Sequence, residues 1–336
     1  MSTILGNPIT LGGGGLELVC NVDTGATVTA TLGGKSVSGV SVNGQAVLKI
    51  PQEGKWNVSA VKGLMVSVPQ DINVPATLDI TLVAQVLNDT SWAAIKQVSD
   101  ASMGANFWSV GDCKEVTMNG KVSNGLTLTN YSAWVFIIGF NHNSEREGNG
   151  IAFQGFKATK NGTPVALVDS RYNNACSAGY FSMSVTSPSG VGTAVGWAES
   201  NMRQNIMPLI KSAFPSDLQT VIKVSTIYTD NSGQGQGSVT PTATQDDVFL
   251  LAEYEIFGQR AVATTQEAYF CKQYAYYAAG NSKVKYRHDA VGTTTVWFER
   301  SPYASYPANY GIVTEQGKSS WVSSNYSRCV APCFKV

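Results

Sequence analysis

The stretch Ser36-Val-Ser-Gly-Val40-Ser-Val42-Asn43-Gly44-Gln-Ala46-Val-Leu48-Lys-Ile50 decides the fold. Val40 and Val42 alternate with small polar residues up to Asn43-Gly44, and Ala46, Leu48 and Ile50 resume the alternation beyond it. A period of two puts one set of side chains on one face of a strand. Asn-Gly accepts the positive φ that a type I′ turn needs at both central positions. The stretch therefore predicts a hairpin. On either side the pattern continues, with Ala26, Val28 and Ala30 on one face, then Trp56-Asn-Val58-Ser-Ala60, Val66-Ser-Val68 and Leu78-Asp-Ile80-Thr-Leu82. Short strands at regular spacing predict a β-sandwich of immunoglobulin or transthyretin type over residues 1–83, entered through the turned or flexible glycine run at Gly12 to Gly15. Such a unit serves as a docking module or spacer.

The pattern changes near Ala84, so a boundary is expected between Leu82 and Thr90, with a second domain over residues 84–336. Thr90-Ser91 caps a helix that places Trp92, Ile95 and Val98 on one side. Trp134 to Phe140 reads as a strand buried on both faces. Glu199 to Phe214 reads as a helix with Met202, Ile206, Leu209 and Ile210 inward and a kink at Pro208. Thr264-x-x-Glu267 is a capping box opening a third helix that runs to Ala279, with Gly280 as its C-cap. Asp230 to Gln245 reads as a long exposed loop, and Cys329 to Val336 as a closing strand. The fold class is mostly β with some helix.

Composition narrows the function. The chain has 336 residues, of which 43% are hydrophobic and only 14% charged, and its formal net charge is zero. A neutral chain lacks the basic footprint of a nucleic-acid binder. The longest apolar run, Trp134 to Phe140, is far short of the roughly 18 residues of a membrane helix. The N-terminus does not read as a signal peptide. A surface rich in Ser, Thr, Asn and Gln repels other copies weakly, so a homo-oligomer is expected, a trimer favoured, or a part of a larger assembly. The six cysteines are scattered and read as buried free thiols.

Several phrases together resemble one phage- and prophage-associated family, of DUF6273 type. They are Trp92-x-x-Ile95, Trp108-Ser-Val-Gly111-Asp112-x-Lys114, Gly196-Trp197-Ala-Glu-Ser200-x-Met202-Arg203, Asp247-Val-Phe249-Leu-Leu251-x-Glu253-x-Glu255-Ile256-x-Gly258, Trp297-Phe298-x-Arg300-Ser301-Pro302 and Val330-Ala-Pro332-x-Phe334. They span about residues 85–336. The resemblance implies an α+β domain of C-type-lectin-like fold, after an immunoglobulin-like first domain. It implies a virion protein, of a tail or fibre, made in the bacterial host cytoplasm. Its partners would be other virion proteins and a host cell-surface glycan or protein. Another reading is a structural capsid-decoration or fibre protein that only assembles; a third is an enzyme of formylglycine-generating type.

No catalytic residue, cofactor or metal is expected. His142 and His288 are the only histidines, and both read as solvated loop residues. Two distant histidines and scattered thiols give no transition-metal spacing. Glu253 and Glu255 would share one face of a strand. Asp230-Asn-Ser-Gly lacks the bidentate Glu of a calcium loop. The binding expectation falls on Ser301 to Arg328, where aromatics alternate with small hydrogen-bonding residues, as in paratopes. Tyr303, Tyr306, Asn309, Tyr310, Trp321, Ser324, Asn325 and Tyr326 are expected on or beside one exposed patch. Asn-rich positions of this kind also fit lectin-fold loops diversified by a retroelement.

Overall fold

The computed structural model describes residues 15–184, 195–232, 237–306 and 308–336. The fold is mostly β with some helix. Contacts divide the chain into two compact units, meeting in sequence at Gln85 and Val86. Most of the N-terminal glycine run, 12–14, lies outside the described residues.

The first unit contains β1 (Leu16–Asn21), β2 (Thr27–Leu32), β3 (Lys35–Val40), β4 (Gln45–Ile50), β5 (Gly54–Lys62), β6 (Met65–Ser67), β7 (Gln70–Val74), β8 (Ala76–Asp79) and β9 (Leu82–Ala84). One sheet has the order β4-β1-β8, with β1 and β8 parallel. The other has the order β3-β2-β5-β6-β9, with β7 also paired to β5. The alternate residues of both close on one core that includes Leu18, Val28, Ala30, Leu48, Ile50, Trp56 and Val58.

Asn43 (φ 52°) and Gly44 (φ 82°) form the expected turn, closed by reciprocal bonds between Val42 and Gln45. The strands on its two sides do not pair as a hairpin, however. β3 pairs with β2 and β4 with β1, so the turn carries the chain from one sheet to the other. Burial explains the switch. Ala46, Leu48 and Ile50 point into the core, whereas Val40 and Val42 are 59% and 66% exposed. The Ser41 hydroxyl fixes the corner by bonding the Ala26 N–H and the Asp23 carbonyl.

The second unit contains β10 (Cys113–Ser123), β11 (Leu126–Phe140), β12 (Ile151–Lys157), β13 (Val165–Ala166), β14 (Ser225–Thr229), β15 (Thr242–Asp246), β16 (Val248–Phe249), β17 (Lys285–Arg287), β18 (Ala290–Thr295), β19 (Trp297–Pro302), β20 (Asn309–Val313), β21 (Ser319–Ser323) and β22 (Cys333–Lys335). Its main sheet has the order β10-β11-β12-β22-β16, so the closing strand sits inside it. Val135, Phe136, Ile137 and Ile138 are fully buried, as a strand covered on both faces requires. The helix Trp92–Asp100 is capped by the Ser91 hydroxyl, and Trp92 packs edge-on against Phe153 and Phe334.

Three sequence expectations change here. The segment before Pro208 is a π-helical turn, Met202–Ile206, followed by the helix Met207–Ala213. Proline cannot donate its backbone bond to the preceding turn, and the widened turn absorbs that loss. Met207 is buried in place of Leu209. The third helix is two short ones, Glu267–Phe270 and Ala275–Ala278. Its capping box does not form, because the Thr264 hydroxyl bonds the carbonyl of Val239 and the Glu267 carboxylate accepts from the Ser301 hydroxyl and the Tyr254 N–H. Finally, the Asp230–Gln245 loop is partly β15, paired with β14, and Asp230 is buried; 233–236 lie outside the described residues. All six cysteines are buried and free.

Each unit carries its own apolar core. A chain beginning at Val86 is therefore expected to unfold in one cooperative transition, read by circular dichroism during a urea titration. A fragment without a transition would show that the second unit needs the first.

Candidate functional site

Three aromatics, Tyr303, Tyr306 and Trp321, gather on and beside the antiparallel sheet β19-β20-β21. In the β20–β21 ladder Tyr310 faces Val322, and Gly311 faces Trp321. Alternation sends these pairs to opposite faces. Tyr310 consequently points inward and is fully buried, while Trp321 points outward and is 48% exposed. Glu299 fills the space a side chain at Gly311 would need: a Cβ there would clash with the Glu299 Oε2.

Trp321 stacks on Tyr303 (5.6 Å, 26° between planes) and on Tyr306 (6.2 Å, 26°), and the two tyrosines lie 5.3 Å apart. Tyr306 is 58% exposed. Asn309 is half-buried at the start of β20, where its carbonyl accepts the Tyr303 N–H. These four make one aromatic platform with a polar margin.

The other expected residues lie elsewhere. Tyr310, Ser324 and Asn325 are buried and form no part of an exposed patch. Ser324 accepts the N–H groups of Met183 and Ser184 on its carbonyl, and the Asn325 carbonyl accepts that of Cys176, so this loop is a support. Tyr326 is 38% exposed and lies beside the Arg328 guanidinium. Composition marks all eight equally; inward and outward positions separate only once β21 is seen to be a strand and not a loop.

Beneath the platform lies a buried polar network, built from the phrases that carried the family resemblance. Arg300 donates to both Glu255 oxygens (2.5 and 2.6 Å), to the Leu250 carbonyl (2.7 Å) and to the Tyr228 carbonyl (3.1 Å). Glu253 and Glu255 lie on the short helix Glu253–Phe257, not on one face of a strand. Glu253 accepts the backbone N–H groups of Ala261, Val262 and Ala263 and the hydroxyl of Ser319 on β21. Ser301 accepts the Glu253 N–H and donates to Glu267. A second knot joins Trp197 and Arg203 to the Asp246 carboxylate (2.9 and 2.6 Å).

Burial sets the charges. It pushes the Glu267 carboxyl up to about 7. Glu299, with both oxygens unpartnered and Glu253 and Glu267 nearby, is raised far above the carboxylate range and held neutral. Arg300 draws Glu255 below its ordinary value against the desolvation that raises it. His142, read above as solvated, is buried at 8% exposure and stacks on Tyr274 at 3.6 Å; burial lowers its pKa to about 4. His288 is half-buried and accepts the Val168 N–H on Nδ1. His142, Glu147 and Glu255 bring ligand atoms within 4.8 Å of one another.

The site is thus a ring platform on a strand pair tied to a buried polar network through the Ser319 hydroxyl and Glu253, in a mostly β protein of two units. Residues 186–336 match the family model described as "Domain of unknown function (DUF6273)". The match covers less than half of the chain, and the phrases around Trp92 and Trp108 precede it. No curated protein and no solved structure matches the chain. Among the described residues no helix is long and apolar enough to cross a membrane.

Two outcomes follow. Arg300→Met alone should cost about 3–5 kcal/mol in a urea titration, because Glu255 is left buried and unpaired. The double variant Arg300→Met/Glu255→Leu should recover much of that loss, since no charge then needs a partner. Lys285 gives the second. It is fully buried, with Gln154 as its hydrogen-bond partner, and desolvation lowers its pKa from 10.5 to about 7. Between those values the unfolded chain binds a proton that the folded chain does not, so wild-type stability rises with pH across that window. Lys285→Met should be more stable than wild type by on the order of a few kcal/mol at pH 7, and the difference should shrink toward pH 10.

Proposed function

We propose that the chain is a virion protein of a bacteriophage that binds a host cell-surface glycan or protein through the platform of its second unit. The observation that carries this reading is the exposed stack of Tyr303, Tyr306 and Trp321 on a strand pair anchored from below. Rigid aromatic rings ringed by small polar residues offer contact area at little ordering cost. Single exposed rings are ordinary, but three in mutual contact form a patch that invites a partner. The platform sits in the region that matches the DUF6273 model, and what the resemblance implies, a virion protein with a lectin-like second domain, agrees with this reading. In the first unit Val40, Val42, Val61 and Leu64 are exposed apolar residues, which suits docking onto other virion components. A trimer made in the host cytoplasm belongs to the same reading.

The test measures adsorption of the purified chain to a panel of Firmicutes cells by flow cytometry, alongside thermal unfolding. Trp321→Ala and Tyr306→Ala should lose about 1–3 kcal/mol of binding and keep stability within about 0.5 kcal/mol. Tyr310→Ala should instead cost about 3–5 kcal/mol of stability. Full adsorption by Trp321→Ala removes the platform as the receptor site. A wild-type chain that adsorbs to no strain favours a capsid-decoration or fibre protein that only assembles.

A further inference from the structure

His142 follows β11 by two residues and Glu147 closes the one-turn helix Ser144–Glu147, while Glu255 comes from the helix beside β19. All three are buried, at 8%, 6% and 0% exposure. The imidazole is clamped in parallel against Tyr274, and its Nε2 has neither solvent nor a hydrogen-bond partner. That atom lies 4.0 Å from Glu147 Oε1. The Tyr274 hydroxyl on the same stack is unpartnered too. An orphaned buried ring nitrogen is costly unless something fills its lone pair or takes its proton.

The two carboxylates are already oriented. Glu147 accepts from Asn143 Nδ2 and Lys335 Nζ, each at 2.8 Å, and Glu255 from Arg300 and the Ala252 N–H. Such outer contacts are what ligating carboxylates ordinarily have, and both Glu147 oxygens and Glu255 Oε1 accept one bond each and keep a further lone pair.

We propose that His142, Glu147 and Glu255 bind one divalent first-row metal ion as a structural site, Zn²⁺ being the probe. One imidazole nitrogen and two carboxylate oxygens are donors that Zn²⁺ takes, with a water in the fourth position. The ion would tie the end of β11 to the helix that holds Arg300. Expectations from spacing missed this set because it needs no second histidine and no thiol, and its third ligand is more than a hundred positions away in sequence.

The whole chain is unfolded in denaturant with a chelator, freed of both, and refolded with or without Zn²⁺. Bound metal is counted by native mass spectrometry and unfolding followed by calorimetry; Co²⁺ refolding adds a visible ligand-field band. The expected result is one retained ion per chain, a Tm raised by several degrees, and a Co²⁺ band. His142→Phe keeps the stack on Tyr274 and supplies no ligand, so it should fold, retain no ion and show no metal-dependent Tm. The proposal is overturned if wild-type chain refolded with Zn²⁺ retains no ion and unfolds where the metal-free chain does. It is equally overturned if His142→Phe binds the ion as wild type does.

Discussion

The pair Arg300–Glu255 is the constraint on which the second unit depends. A guanidinium and a carboxylate, both removed from water, are tolerable only if their hydrogen bonds are met. Arg300 meets this at both terminal nitrogens, with two carboxylate oxygens and two carbonyls, from Leu250 beside β16 and Tyr228 in β14, and leaves only its Nε without a partner. Satisfying one side chain therefore fixes three separate elements against β19. Its neighbour Ser301 links Glu253 to Glu267, and Glu253 reaches Ser319. The chain of bonds runs from the buried pair to β21, the strand that bears Trp321. Placement of the exposed ring is decided well below it.

That dependence explains which parts of the fold were legible in sequence. Alternation in β2 and β5 is a local property, and Ala26, Val28, Ala30, Trp56, Val58 and Ala60 are buried as their spacing says. The Asn43-Gly44 turn is equally local. Sheet partners are not: β3 and β4 flank one turn and belong to two sheets, β4 burying Ala46, Leu48 and Ile50 while β3 packs Val37 on the same core and leaves Val40 exposed. The third helix fails for a related reason. Thr264-x-x-Glu267 has the letters of a capping box, but a carboxylate that can join Ser301 and Tyr254 in the interior is more stable there than at a helix end. Tertiary satisfaction of a buried group overrides a cap contributing on the order of 1 kcal/mol.

The site was legible in kind and not in detail. Aromatic and small polar residues between Ser301 and Arg328 mark a stretch of candidate surface rings, yet Tyr310 and Trp321 are indistinguishable as letters. Their fates divide on the register of β20 with β21, which sequence does not print. Buried chemistry was harder to see. Glu253, Glu255 and Arg300 stand in phrases that identify a family, and phrases of that sort are as often scaffolding as function. His142 sits among Asn, Ser, Glu and Arg and reads as solvent-facing; its burial comes from Tyr274, far along the chain.

The division of labour between the two layers has a physical consequence. Glu299 occupies the place of a side chain at Gly311, and the glycine lies directly across from Trp321. The platform residue is thus backed by a neutral buried carboxyl and a bare backbone, not by an interlocking side chain. Changing Trp321 alters the outer plate without opening a cavity in the core, because its stacking partners Tyr303 and Tyr306 are themselves at the surface. Changing Gly311 has the opposite character, since any Cβ must displace the Glu299 carboxyl. A single ladder pair therefore holds one position where substitution acts mainly on what the protein touches and one where it acts on whether the sheet forms.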